Sequence, residues 1–236
     1  MVAHQGSAMG DSGSGGLFGR LRAAAGASWR GYVEHAFVAQ LAAGSLPQGS
    51  FRRYLVQDYL FLIQFARAWA LAAYKSDDLE EMRSAAASMT GIIDVEMKLH
   101  VGFCRGWGLS EAQMQATSEA PATVAYTRYV LDCGLRGDLL DLQVALAPCI
   151  VGYGEIGARL LKSARLEANP YRAWIEMYGG DDYQAVAQGA IEALERSGQR
   201  RGREARFARL AEIFATASRL EADFWQMALD APAAGS

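Results

Sequence analysis

Apolar side chains recur every three or four positions along most of this chain, and short polar or glycine-containing connections separate the runs. The first run covers residues 17–43 and stops at Gly44, which predicts one long helix. The second, residues 51–75, predicts another helix after a turn that contains Pro47. Strand-like alternation of useful length and internal repeats are both absent, so the pattern predicts an all-α bundle with a single domain.

Caps and turns indicate where the later helices begin and end. The Ser76-Asp77-Asp78 stretch predicts the start of a third helix that lasts to about Gly106, and Ser110 predicts a short one. Asp138 predicts the start of a long helix that reaches about residue 168. The other predicted segments are a helix from Pro121 to about Gly134, an aromatic stretch at 171–178, a helix over 181–197, a solvated basic loop at 198–204 and a last helix over 205–229.

Two acidic residues interrupt apolar helix faces. Asp58 lies close to the helical period of Tyr54 and Phe61, and Glu221 falls in the apolar stripe of the last helix. A buried acid is costly unless it is paired or meets a ligand, so both are candidate site residues. The alternative for Asp58 is an ordinary position on the helix surface.

The stretch from Ala147 to Glu155 carries a third candidate. Pro148 removes one backbone donor from a helical run, so a bend or a helix start is expected there. Cys149 and Tyr153 then lie four residues apart on one face, among glycines that leave the turn nearly bare. A small flat ligand could reach the sulfur, although a lone cysteine in a helix is more often a small buried hydrophobe.

Composition limits the class of molecule that this protein is expected to bind and indicates whether it enters a membrane. The 236 residues carry a net charge of −3 with scattered basic residues, so no footprint for nucleic acid or an anionic membrane is present, and the ligand is expected to be small. Charges interrupt each apolar run before about 18 residues, the length of a membrane span. We therefore expect a soluble protein with a leader at 1–16, a helical domain at 17–230 and a loose tail at 231–236.

Cysteine and histidine spacing gives little reason to expect a disulfide or a metal site. Cys104, Cys133 and Cys149 form no CxxC pair, so reduced thiols in the cytoplasm are the simpler interpretation. His100 follows Glu96 by four residues, a spacing that suits metal ligands, but the chain has only three histidines. A polar contact between helices is the preferred explanation of His100, and no cofactor is expected.

Several stretches, in this order and spacing, resemble the TenA family, also called thiaminase II or aminopyrimidine aminohydrolase, whose members have a haem-oxygenase-like helical fold. The resemblance extends from about Trp29 to the end of the last helix. The stretches that carry it are Phe51-Arg52-Arg53-Tyr54-Leu55-Val56-Gln57-Asp58, Ala125-Tyr126-Thr127, Pro148-Cys149 with Tyr153 and Glu155, Asn169-Pro170, Trp174-Ile175, Tyr178-Gly179-Gly180 and Glu221-Ala222-Asp223-Phe224-Trp225.

The resemblance implies a nucleophile at Cys149 and a proton donor at Glu221. Many relatives carry a tyrosine where this chain has Phe61, and its hydroxyl is thought to sharpen the cysteine, so the activation of the thiol here is an open question. The other site positions that the resemblance implies are substrate or pocket contacts, namely Asp58, Phe61, Tyr126, Tyr153, Tyr178 and Phe224.

The implied substrate is a 4-amino-2-methylpyrimidine with a leaving group on a methylene at ring position five, as in thiamin or its aminomethyl breakdown product. A soft thiolate adds well to such an electron-poor ring, and an acid with a raised pKa can protonate the departing amine. The implied product is the hydroxymethylpyrimidine of thiamin salvage, and a homotetramer is implied as well. Two alternatives are a non-catalytic pyrimidine-binding or regulatory protein, and a metal- or haem-dependent oxidase that uses His35, Glu96 and His100.

Overall fold

The computed structural model describes residues 15–164 and 166–230. The predicted tail and all but the last two positions of the predicted leader lie outside these residues. Within them every regular element is a helix and no strand occurs, which confirms the all-α prediction. The helices are α1 (Leu17–Ala25), α2 (Ala27–Val33), α3 (Ala36–Ala43), α4 (Gln48–Tyr74), α5 (Leu79–Gly91), α6 (Met97–Gly106), α7 (Glu111–Gln115), α8 (Pro121–Arg136), α9 (Leu139–Ala147), α10 (Tyr153–Ser163), α11 (Arg172–Gly179), α12 (Asp181–Arg200) and α13 (Arg203–Leu229).

Three long helical stretches form the centre of the bundle. They are α4, α13 and the continuous run Leu139–Ser163, which contains α9 and α10. By length and composition Leu139–Ser163 could cross a membrane, but 72% of its most apolar window is buried inside the protein. Its apolar residues therefore serve the core, as expected of a central helix. Helix α4 packs on α5, α8 and α13.

The prediction of one helix over residues 17–43 is wrong, because two breaks divide it. Gly26 has φ of 42° and ends α1, a backbone region that glycine enters without the steric cost of a side chain. His35 then caps α3, since its Nδ1 accepts a hydrogen bond of 3.2 Å from the backbone N–H of Phe37. The two breaks let α1–α3 wrap around the C-terminal helix instead of projecting past it.

The prediction of a solvated loop at 198–204 is also wrong, because α12 continues to Arg200 and α13 begins at Arg203. Arg201 keeps the connection on the protein, since its side chain is only 8% exposed and pairs with Glu81 at 2.8 Å and with Asp77. Basic residues that suggested a loop in water therefore form ion pairs with the start of α5. The long helix predicted to reach residue 168 ends earlier, at Ser163.

Two single turns of π-helix interrupt long helices. Ile92–Glu96 joins α5 to α6, and Pro148–Gly152 joins α9 to α10. Pro148 has no N–H to donate, so the regular bonding pattern changes at this point, while the helical run Leu139–Ser163 continues through it without the predicted new start. Tyr32 donates a hydrogen bond of 3.3 Å to the carbonyl of Pro148, and the bare Gly152 gives the tyrosine ring room to approach.

Candidate functional site

Asp58 lies in the middle of α4 and faces the core, not the surface, with a relative exposure of 4%. Its Oδ2 accepts a hydrogen bond of 3.2 Å from the Tyr54 hydroxyl, which in turn accepts one from Trp174 Nε1. Burial raises the pKa of Asp58 to about 7, and the Tyr54 hydrogen bond offsets only part of that effect. The Asp58 carboxyl can therefore hold a proton near neutral pH.

His100 connects α6 to α4 as the polar contact predicted from the sequence. Its Nε2 lies 2.6 Å from the carbonyl of Leu55, which requires a proton on that nitrogen. Burial lowers the pKa of His100 to about 4, so the ring is neutral and its Nδ1 carries a lone pair. Nδ1 lies 3.5 Å from Asp58 Oδ2, so it can accept a hydrogen bond from Asp58 when that carboxyl is protonated.

Cys149 lies in the second π-helical turn, next to the Glu221 carboxyl of α13. Tyr126 of α8 donates a hydrogen bond of 2.9 Å to Glu221 Oε1, which orients the carboxyl. Burial raises the pKa of Glu221 to about 8. Burial also raises the pKa of the Cys149 thiol well above its ordinary value, and the charges of Glu221, Glu96 and Asp58 raise it further.

Aromatic rings surround these groups. The ring of Phe61 lies 5.1 Å from that of Tyr126 and 5.8 Å from that of Phe224, measured between centroids. On the other side the rings of Tyr153 and Tyr178 are 4.9 Å apart. Close packing of α10 on α11 brings these two tyrosines together, because a Cβ on Gly157 would lie only 2.3 Å from the backbone of Tyr178. All eight predicted site residues therefore belong to one region of the core.

Sequence reasoning missed two further groups at this site. Glu96, considered only as a metal ligand, ends the first π-helical turn, and Tyr183 lies in the first turn of α12. The charge of Glu96 raises the pKa of Cys149, Tyr178 and Tyr183, so it acts on the same region. For Glu96 the available signal was its four-residue spacing from His100, whereas no sequence signal singled out Tyr183.

Three side chains that interact electrostatically with these groups keep some exposure. Cys149, Glu96 and Tyr183 are only partly buried, although burial is the largest cause of the raised pKa of each one. No described Lys or Arg contributes to the raised pKa values of Asp58, Glu96 and Glu221.

The described residues contain no group of three His, Cys, Asp or Glu side chains placed to hold a metal ion. His35 is engaged as the cap of α3, and His100 is engaged with Leu55 and Asp58. The groups that do converge are a thiol, protonatable carboxyls and aromatic rings. These can bind a flat heterocycle, attack it with sulfur and move protons at its edge.

A family model described as the TENA/THI-4/PQQC family matches residues 22–231. An aminopyrimidine aminohydrolase from Halalkalibacterium halodurans is 36% identical over 201 residues, which cover 85% of this chain and 89% of that protein. A TenA family transcription regulator from Silicibacter sp. TM1040 superposes with a TM-score of 0.88 at 47% identity, covering 92% of this chain and 98% of that one.

The fold alone is also found in a more distant structure. A domain of unknown function with a heme oxygenase-like fold, from Shewanella denitrificans OS217, superposes with a TM-score of 0.70 at 13% identity. It covers 89% of this chain and 90% of that chain. This likeness confirms the predicted fold class.

Proposed function

The chain belongs to the TENA/THI-4/PQQC family, and on that basis we propose that it is an aminopyrimidine hydrolase of the thiaminase II type. It releases 4-amino-5-hydroxymethyl-2-methylpyrimidine from the aminomethyl breakdown product of thiamin, or from thiamin itself. One arrangement supports the proposal more than any other: the Cys149 thiol lies next to the Glu221 carboxyl, which Tyr126 orients, in the same part of the core as Asp58. The relative from Halalkalibacterium halodurans supports the substrate class.

Asp58 binds the pyrimidine edge in this proposal. The edge presents an amino donor beside a ring-nitrogen acceptor, and a protonated carboxyl offers one acceptor and one donor at matching spacing. A pKa near 7 for Asp58 makes that protonated form available at neutral pH. Tyr54 and His100 both contact Oδ2 and so orient the carboxyl before substrate enters. The carboxyl proton turns from His100 to the ring nitrogen when substrate binds.

Cys149 and Glu221 perform the chemistry in this proposal. As Sγ adds to the ring carbon beside the one that bears the methylene, the thiol proton passes to the Glu221 carboxylate. The cationic amine departs in its neutral form and then takes up the proton held by Glu221, and an exocyclic methylene remains on the ring. Water adds to that methylene and returns a proton to Glu221. Expulsion of sulfur as the thiolate restores the aromatic ring, and the thiolate takes the proton back from Glu221. The balance is substrate plus water giving alcohol plus amine.

The Cys149 thiol has a high pKa, and this chain has Phe61 where many relatives have a tyrosine whose hydroxyl could activate the sulfur. A positively charged substrate can activate the thiol instead. Positive charge brought between the carboxyls lowers the pKa of Glu221 and of Cys149 together, since it stabilises the ionised form of each. Tyr126 keeps Glu221 oriented through its 2.9 Å hydrogen bond while the proton moves. The acid–base step is typically worth about 10²- to 10⁴-fold in rate.

The test of the function is release of the hydroxymethylpyrimidine by wild type and by Cys149→Ser. Loss of the sulfur nucleophile is expected to lower kcat by roughly 10³-fold or more while the circular dichroism spectrum stays unchanged. Cys133→Ser is the matched control, since that thiol contacts Tyr129 in a different part of the bundle, and it should retain activity. Wild-type rates in Cys149→Ser would refute the mechanism.

A pyrimidine-binding protein without turnover is the second candidate, favoured by the missing hydroxyl at Phe61. Calorimetry separates the two candidates, because tight binding of the aminomethylpyrimidine with no product formed would support binding alone. The comparison with thiamin in the same assay shows which substrate is preferred.

We further place the protein in the cytoplasm as a homotetramer. All three cysteines are free thiols, which suits a reducing compartment. An apolar groove of about 740 Å³ lies between α4 and the first π-helical turn, with Leu62, Met89 and Ile93 among its walls, and it supports contact between subunits. Light scattering on the purified protein measures the subunit number directly.

A further inference from the structure

Asp58 belongs to a chain of four buried side chains in which each end fixes the direction of its hydrogen bonds. Trp174 forms one end. An indole N–H can only donate, so Trp174 Nε1 must donate to the Tyr54 oxygen, 3.1 Å away. The single proton of the Tyr54 hydroxyl is then directed to Asp58 Oδ2, at 3.2 Å. Oδ2 therefore accepts a hydrogen bond on this side.

His100 forms the other end of the chain. A carbonyl oxygen has no proton to give, so the 2.6 Å contact between His100 Nε2 and the carbonyl of Leu55 requires the ring proton to be on Nε2. In the neutral ring Nδ1 is then an acceptor only, and it lies 3.5 Å from Asp58 Oδ2. The side chains of His100 and Asp58 are only 5% and 6% exposed, so burial disfavours a charged ring at this position.

The two ends together determine which oxygen of Asp58 carries the acid proton. A protonated Oδ2 accepts from Tyr54 and points its proton to His100 Nδ1 at the same time. An unprotonated Oδ2 would instead face Nδ1 with a lone pair. The 3.5 Å separation is long for a hydrogen bond, but two acceptors still repel each other at that distance in a buried site. Both contacts go to Oδ2, which leaves Oδ1 to accept from a ligand.

A carboxyl with its proton on one defined oxygen distinguishes two kinds of pyrimidine. At the edge of a 4-aminopyrimidine the amino group donates and the adjacent ring nitrogen accepts, which matches an acceptor at Oδ1 and a proton on Oδ2. A 4-oxopyrimidine reverses both positions, since its ring N–H donates and its carbonyl oxygen accepts. It would require the proton on Oδ1, and Oδ2 would then face His100 Nδ1 without one.

Resting on the proposed function, in which Asp58 binds the pyrimidine edge, we propose that His100 is a positioning residue that makes the site select 4-aminopyrimidines over their 4-oxo counterparts. His100 acts through Asp58, because it keeps the acid proton on Oδ2. An aminopyrimidine needs only a rotation of that proton toward its ring nitrogen, whereas an oxopyrimidine needs the proton on the other oxygen.

The experiment measures the affinity of two ligands that differ only at ring position four. They are 4-amino-5-hydroxymethyl-2-methylpyrimidine and its 4-oxo counterpart, and calorimetry at pH 7 gives their dissociation constants without turnover. We expect wild type to bind the amino compound about 100-fold more tightly or better, because the mismatched ligand leaves polar groups unpaired. His100→Phe keeps a ring of similar shape but removes both nitrogens, so the ratio of the two affinities should fall about tenfold or more.

Two more variants separate positioning from a structural role. His100→Gln can donate from its amide nitrogen to the Leu55 carbonyl and turn its oxygen to Asp58, so it should recover part of the ratio that His100→Phe loses. His35→Phe is the matched control, since His35 caps α3 instead of contacting Asp58, and its ratio should stay within about threefold of wild type. The melting temperature of each variant is measured alongside as a check on folding.

The outcomes distinguish the proposed function from the role of His100. If wild type neither binds the amino compound nor releases it from the aminomethylpyrimidine, the proposed function fails. If wild type is active but binds both ligands equally, or if a folded His100→Phe keeps the wild-type ratio, the role of His100 is refuted. A lower ratio in His100→Gln than in His100→Phe would refute it as well.

A spectroscopic measurement on wild type covers the case in which His100→Phe does not fold. Nitrogen-15 NMR of the imidazole at pH 7 should show a proton on His100 Nε2 and none on Nδ1, both with and without the amino compound. A purely structural role of His100 does not require Nδ1 to be bare. A proton on Nδ1 would therefore refute the proposal.

Discussion

Replacing Glu221 by glutamine is expected to stabilise the fold while it removes activity. Glutamine has the same shape and can still accept the hydrogen bond from Tyr126 through its side-chain oxygen. Its amide can donate toward the sulfur of Cys149. What the substitution removes is the cost of keeping an ionisable group in a buried site.

The magnitude follows from the shift in the Glu221 pKa. The folded protein raises it from an ordinary value of 4.5 to about 8, so the folded state binds the proton more tightly than the unfolded state does. Wild-type stability therefore falls as pH rises between those two values and levels off above about pH 8. At 1.36 kcal/mol per pKa unit the limit is about 5 kcal/mol. Coupling to Asp58 and imperfect replacement of the hydrogen bonds lower the expected gain to roughly 2–3 kcal/mol.

Urea unfolding of wild type and Glu221→Gln at pH 5 and pH 8 measures this effect. The variant should exceed wild type by little at pH 5 and by the full amount at pH 8, and hydroxymethylpyrimidine release should fall by about 10²-fold or more. Glu212→Gln, an exposed position on the same helix, should change stability by less than about 0.5 kcal/mol at both pH values. A Glu221→Gln protein whose advantage is the same at pH 5 and pH 8 would refute the reasoning.

Two further substitutions test residues that surround the proposed catalytic groups. Gly152→Ala places a Cβ 2.3 Å from Tyr32 Cε1, so the second π-helical turn must shift. We expect the free energy of unfolding in urea to fall by about 2–4 kcal/mol, together with a large loss of kcat. Gly189→Ala is the control, because open space surrounds that position and the substitution should be neutral or stabilising. Phe61→Tyr adds a hydroxyl beside Tyr126, and we expect kcat for formation of the hydroxymethylpyrimidine to rise severalfold. An unchanged or lower kcat would show that a hydroxyl at this position does not activate the sulfur.

The sequence predicted helices wherever apolar periodicity and caps agreed. The cap at Asp78 and the start of α8 at Pro121 are examples, because each depends on local chemistry that the sequence displays. Gly26 and Arg201 are the counterexamples. The sequence alone does not show whether a single glycine in a helical run adopts positive φ. Nor does it show whether a basic stretch forms ion pairs with acidic residues near another helix.

The candidate site likewise contains residues that the local sequence identifies and residues that only the tertiary structure reveals. Asp58 and Glu221 could be selected from the sequence because each conflicts with its local apolar pattern, and Cys149 because it follows Pro148 among bare glycines. The family resemblance supplied the roles that remain predictions. For Glu96 the sequence offered only its spacing from His100, which suggested a metal ligand, and no sequence signal singled out Tyr183. Tertiary packing of α6 and α12 against other helices decides the surroundings of these two residues.

The second π-helical turn connects an irregular backbone to the proposed nucleophile. An inserted residue widens one turn of a helix and changes which side chains face inward. The widened turn Pro148–Gly152 carries Cys149 and contacts α13, the helix of Glu221. Tyr32 stabilises this turn by donating a hydrogen bond to the carbonyl of Pro148. The irregular backbone therefore positions the sulfur that the proposed reaction uses.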